Sequence, residues 1–94
     1  MPARLIRNRK FRQGGLVIQE RIWQLPAAAP GSRHRYKYSL YCGRDGQCLV
    51  RYDNERGKGD HRHEGDLENA YPFTTLEQLL EDFIADVTRL IKEK

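Results

Sequence analysis

The hydrophobic period of this chain changes once, and that change sets its fold class. Leu76, Leu79, Leu80, Phe83, Ile84, Val87, Leu90 and Ile91 recur at the i, i+3, i+4, i+7 spacing of one helical face, opposite Glu77, Glu81, Asp82, Asp86 and Arg89. Thr74 stands three before Glu77 and Thr75 three before Gln78, so either pair fits a capping box, and Pro72 suits a chain entering a helix. The spacing predicts a helix over residues 75–91. Upstream the period is two. Tyr36, Tyr38, Leu40 and Cys42 alternate with Lys37, Ser39 and Tyr41, and Cys48, Val50 and Tyr52 alternate with Leu49, Arg51 and Asp53.

Turn residues divide the first half of the chain into hairpins. Residues 4–12 and 16–25 flank Gln13-Gly14-Gly15, and Arg44-Asp45-Gly46 separates 35–42 from 47–53. Pro26 and Pro30 keep the segment from 26 to 32 out of any ladder. Neither the sheet nor the helix can bury its apolar face alone, so each is expected to cover the other. The expected fold is α+β: a four-stranded antiparallel sheet followed by one amphipathic C-terminal helix packed on it, β-β-β-β-α, in a single domain over 1–94. Trp23 is expected to be a core anchor under the helix.

At 94 residues, 38% hydrophobic and 32% charged, the chain suits one modest core. No apolar run approaches the roughly 18 residues that span a bilayer. The N-terminus lacks the apolar stretch of a secretory signal, and a cytoplasmic protein without a membrane partner is expected. The net charge of +4 hides an asymmetry: residues 1–62 hold 14 Lys or Arg against 5 Asp or Glu, and residues 63–94 hold 3 against 8. A basic two-thirds of this kind faces polyanions, RNA or DNA, or else is a solvated surface. Cys42 and Cys48 flank a turn and would sit opposite each other across a hairpin. In a cytoplasmic chain they are expected to be reduced and structural.

The segment from Tyr52 to Asp66 has no aliphatic side chain, yet it holds His61 and His63 among acids and cations. It reads as a loop that displays an acid, a base and a cation together. In an extended backbone, residues two apart point to one side, so His61 and His63 would share a space while Asp60 and Arg62 face away. Such a pair can serve as general base and general acid. On RNA, one would take the 2′-hydroxyl proton and the other would protonate the departing 5′-oxygen, with no metal or other cofactor. Lys58, Arg56 or Arg62 would hold phosphate, and Asp60 would orient one imidazole. The same residues admit a metal reading through His-x-His with Asp60, Glu64 or Asp66. They also admit a plain one, with the acids bonding their own loop and the histidines on the surface. Arg35 and Lys37, with His34 and Tyr36, form a basic aromatic patch suited to single-stranded RNA.

Several stretches together resemble the TumE family, small bacterial and archaeal toxins of toxin–antitoxin pairs. They are Tyr52 to Glu55, the run Gly57-Lys58-Gly59-Asp60-His61-Arg62-His63, Gly65-Asp66, Tyr71-Pro72-Phe73-Thr74 and Leu76 to Phe83. Trp23-x-Leu25-Pro26 and Pro30-Gly31-Ser32-x-His34-x-Tyr36-Lys37-Tyr38 extend the similarity over nearly the whole chain. The resemblance implies a growth-inhibiting toxin neutralised by a co-encoded antitoxin, commonly a helix-turn-helix protein. RNA as the target, and ribonuclease action, are expectations from the basic surface and the two histidines. The alternatives are non-catalytic binding to nucleic acid or protein, and a metal-dependent enzyme. The polar loop or an exposed sheet edge is the expected place for the antitoxin, and self-pairing through such an edge would give a homodimer.

Overall fold

The computed structural model describes residues 2–55 and 58–93. Six strands precede one helix: β1 (Arg4–Gln13), β2 (Leu16–Gln24), β3 (Tyr36–Arg44), β4 (Gln47–Glu55), β5 (Gly59–Glu64), β6 (Leu67–Ala70) and α1 (Leu76–Lys92). The strands pair in chain order, each antiparallel to the next, as one meander. The α+β class and the C-terminal helix are as expected, but the sheet has six strands rather than four.

The two hairpins expected from their turns form as read. Gly14 and Gly15 take φ of 58° and 80°, the left-handed pair that a two-residue hairpin turn requires. A Cβ on Gly14 would also lie 3.0 Å from the Ile91 side chain, so the end of α1 rests on this turn. At the other end of the helix, Thr75 is the N-cap, its hydroxyl accepting from the Gln78 amide at 3.1 Å. A bulge between Cys42 and Gly43 sets Cys48 opposite Gly43, so the two cysteines are not cross-strand partners; both are free thiols. Burial pushes each thiol above its ordinary pKa.

One sheet face and one helix stripe make the core. Leu16, Ile18, Ile22, Tyr38, Leu40, Cys42, Val50 and Tyr52 pack with Leu79, Phe83 and Val87. Glu20 is buried in the same row of β2, and Arg7 (3.1 Å) and Arg9 (3.5 Å) from β1 compensate its charge. Trp23 is not under the helix. It follows the buried Ile22 in β2, so alternation turns it to the opposite face, where it is half-buried beside Lys37.

Within the polar segment expected to be a loop, residues 52–55 are the end of β4 and Gly59–Glu64 form β5. Its alternation could not be seen as hydrophobic period because both of its faces are polar. On the helix side, Arg62 reaches Asp86 of α1 through Nε (3.1 Å) and Nη2 (3.1 Å), Tyr52 through Nε (3.0 Å), and Glu64 through Nη1 (3.2 Å). Arg89 adds Glu64 at 2.8 Å. An ionic network takes the place of apolar packing where the sheet runs past the helix stripe.

Arg62→Ala leaves Asp86 and the Tyr52 hydroxyl short of partners, and urea denaturation should show a loss of about 1.5–3 kcal/mol. Tyr38, Tyr52 and Tyr71 have phenol pKa values raised first by burial and next by hydrogen bonds to Asp60, Asp86 and Asp82 respectively. The unfolded chain releases these protons near about pH 10, and the folded chain holds them longer. Their contribution is therefore whole below about pH 10 and is lost as pH rises beyond it. Denaturation midpoints should fall above about pH 10, less steeply in Tyr52→Phe.

Candidate functional site

The register places five polar side chains on the sheet face that α1 leaves open. Residues directly opposite across a ladder share a face, and the pairs Arg51↔His63, Asp53↔His61 and His63↔Glu68 put Arg51, Asp53, His61, His63 and Glu68 together. Val50 and Tyr52, the neighbours of Arg51 in β4, are buried in the core, which fixes this row as the outer one. His61 and His63 thus share a side, about 7 Å apart along the strand.

Glu68 lies against both rings, 3.2 Å from His63 Nδ1 and 3.7 Å from His61 Nδ1. Arg51 Nη2 is 3.3 Å from His63 Nε2, and Asp53 Oδ1 is 3.6 Å from the same atom. A guanidinium only donates and a carboxylate accepts. The hydrogen-bond network therefore assigns the lone pair of a neutral His63 to Nε2 and its proton to Nδ1, facing Glu68. This is the arrangement in which a carboxylate orients a basic imidazole. His61 differs. Its Nε2 donates to the Lys58 carbonyl at 2.8 Å, and its Nδ1 is buried without a hydrogen-bond partner among the described residues. Both side chains are about one-fifth exposed, 19% for His61 and 21% for His63, so water and a docked chain can reach them.

The rest of this face is basic with interspersed aromatics. By register, Lys10, Arg12, Arg21 and Lys37 share it with Trp23 and Tyr41. A hollow of about 350 Å³ lies between Arg21, Trp23, Lys37 and Asp53, the last of which reaches His63. Cations spaced along a sheet, with rings for stacking, suit a single-stranded polyanion.

The other expected site residues fall in different places. Asp60 lies on the helix side, opposite His61 and His63. It does orient an imidazole, but that of His34: Oδ1 accepts from His34 Nε2 at 2.9 Å and from the Tyr38 hydroxyl at 2.6 Å. His34 Nδ1 accepts the Tyr36 amide (3.1 Å) and its ring stacks on Phe73 at 3.8 Å, so it is a structural brace rather than a platform for bases. Arg62 is engaged by Asp86, Glu64 and Tyr52. Lys58 is exposed at the β4–β5 turn, Arg35 is exposed ahead of β3, and Lys37 is exposed with Nζ 3.4 Å from the Asn54 carbonyl. Arg56 lies outside the described residues. Among the described residues, no three or more His, Cys, Asp or Glu side chains are grouped to hold a metal ion. Among the described residues, no helix is long and apolar enough to cross a membrane.

Glu68 and Arg51 were missed by reading the sequence. Gly65-Asp66 was the signal for Glu68, because a two-residue turn there sets Glu68 opposite His63.

A family model described as Toxin TumE matches residues 3–91 of the chain. No curated protein and no solved structure matches it.

The tautomers are directly measurable. Long-range ¹H–¹⁵N correlation spectra should show His63 as the Nδ1–H form and His61 as the Nε2–H form. Glu68→Ala should mix the forms of His63 and leave His61, anchored on a backbone carbonyl, unchanged.

Proposed function

The chain belongs to the TumE toxin family, toxins of toxin–antitoxin pairs that have a cognate antitoxin, and on that premise we propose that it acts on RNA. RNA lies across the uncovered sheet face and is cut without a metal by the pair His63 and His61. The observation that carries this reading is the shared carboxylate: Glu68 meets both imidazoles on the one face where Arg51, Lys37 and Arg21 also stand.

His63 Nε2 takes the proton of a ribose 2′-hydroxyl, and the 2′-oxygen attacks the adjacent phosphorus. Glu68, at His63 Nδ1, holds the ring in the required tautomer and offsets the charge that the imidazole gains. Arg51 supports the negative charge growing on the phosphoryl oxygens. His61 acts from its imidazolium form, with Glu68 against Nδ1; it releases its hydrogen bond to the Lys58 carbonyl, passes the Nε2 proton to the departing 5′-oxygen and is left neutral. The products are a 2′,3′-cyclic phosphate and a 5′-hydroxyl. Glu68 thus takes the orienting role expected of Asp60, and Arg51 the phosphate role expected of Arg62. The antitoxin, for which a helix-turn-helix protein is proposed, neutralises the toxin by covering this face.

Purified protein incubated with total RNA in EDTA should yield fragments ending in cyclic phosphate. His61→Ala and His63→Ala should each lower the rate by about 10²–10⁴-fold and relieve growth inhibition, with circular dichroism unchanged. Folded variants that remain fully toxic would overturn the catalytic assignment. Growth inhibition without any RNA fragments at protein excess would point to a toxin that acts by binding alone.

A further inference from the structure

A second concavity lies round the end of the sheet from the histidines. The segment from 25 to 35 and the β4–β5 hairpin enclose a cleft of about 530 Å³, within the range of small-molecule sites. Leu25, Ala29 and Pro30 give it an apolar wall, Tyr36 and Asp60 line it, and the exposed Lys58 stands at its margin. It shares Lys37, Asn54 and Glu55 with the hollow on the open face, so the two are continuous. A chain lying at His63 can run past Asp53 and Lys37 into the cleft.

The Asp60 carboxylate is fixed and only half used. Oδ1 takes both the His34 Nε2–H and the Tyr38 hydroxyl, while Oδ2 receives no hydrogen bond from the described residues. Two donors hold the group in one orientation in advance, leaving an acceptor with the side chain 17% exposed. Oδ2 is not one of the side-chain atoms buried without a partner, so it is open to a donor from water or from a docked group. Apolar surface, an aromatic ring, a prepositioned acceptor and an ammonium group at the margin together describe the complement of a nucleotide. The base is flat and carries N–H donors on its edge, and the phosphate meets Lys58.

We propose that this cleft is a base-reading subsite for guanine, with Asp60 Oδ2 accepting from its Watson–Crick edge, Tyr36 beside the ring and Lys58 on the phosphate. Guanine alone presents two neighbouring donors, N1–H and N2–H. Adenine and cytosine set an acceptor next to their amino group, and uracil flanks N3–H with two carbonyls that a carboxylate repels. Glu55, a second carboxylate in the lining, disfavours those carbonyls further. This deepens the RNA-directed reading by naming the base that would be recognised, and it rests on that reading for its biological substrate. The site itself is tested without cleavage.

Titration of the ¹⁵N-labelled protein with GMP, AMP, CMP and UMP separates the outcomes. GMP should shift the amides of Gly31, Gly59 and Asp60 and leave those of Leu67 to Ala70 in place, with affinity about tenfold or more above that of UMP. Asp60→Asn, which puts an amide N–H₂ where the acceptor stood, should abolish that preference. Lys58→Ala should weaken GMP but not guanosine, and it decides the matter should Asp60→Asn fail to fold. Equal affinity for all four nucleotides, shifts confined to the histidine face, or indifference of GMP to Lys58→Ala would each overturn the assignment. GMP bound in the cleft while RNA stays intact would sink the ribonuclease reading and leave the subsite standing. RNA cut with no guanine at a fixed offset, and GMP silent in the cleft, would do the reverse.

Discussion

A single helix of 17 residues, about 25 Å long and 10 Å across, covers one face of a six-stranded sheet and no more. That disparity shapes the molecule. The face under α1 carries nearly all of the buried apolar side chains, and the face away from it must be compatible with water. Strand alternation then sorts the sequence without further instruction. Ile22 goes in and Trp23 out, Tyr52 goes in and Arg51 and Asp53 out, Arg62 goes in and His61 and His63 out. Part of the basic character of the first two-thirds of the chain gathers on that surface, where Lys10, Arg12, Arg21, Lys37 and Arg51 point outward, while Arg7, Arg9 and Arg62 lie on the helix side.

Where the sheet outruns the helix stripe, the inward side chains change from apolar to ionic. Arg62 is the hinge of that change. Its guanidinium bonds Asp86 through two nitrogens, and Asp86 also receives the Tyr52 hydroxyl. Breaking such a partly buried network costs more than exposing a surface pair, since the groups left behind lose partners they cannot replace with water. The network also lets β5 be polar on both faces while remaining in the sheet. That freedom is what allows two imidazoles and a carboxylate to sit on regular strands, where their spacing is set by the ladder rather than by a loop.

The sequence was informative wherever burial had a period. The helix, its Thr75 cap, the first two hairpins and the buried row of β3 could be read from alternation and turn residues. The strands β5 and β6 could not. Their stabilising partners, Asp86 and Arg89 in α1 and Glu68 across a turn, are 5 to 25 residues away, and no hydrophobic signal marks them. The shared side of His61 and His63 was legible, because it depends only on an extended backbone. Which carboxylate meets them was not. Asp60 is adjacent in sequence but on the far face, whereas Glu68 is five positions beyond His63 and opposite it in the ladder. Trp23 was misplaced because large aromatics are usually buried, and a residue beside a buried isoleucine in a strand has to point the other way.

The chain-order meander bears on how the protein is made. Each strand pairs only with its sequence neighbour, so sheet contacts close small loops, a topology associated with rapid folding. The covering helix is synthesised after every strand it shields. During translation the ladder is free to zip up while Leu40, Val50 and Tyr52 still face solvent, and the ionic latch at Arg62 has nothing to hold until Asp86 has emerged. A chain interrupted before residue 76 is therefore a sticky, open half-sandwich.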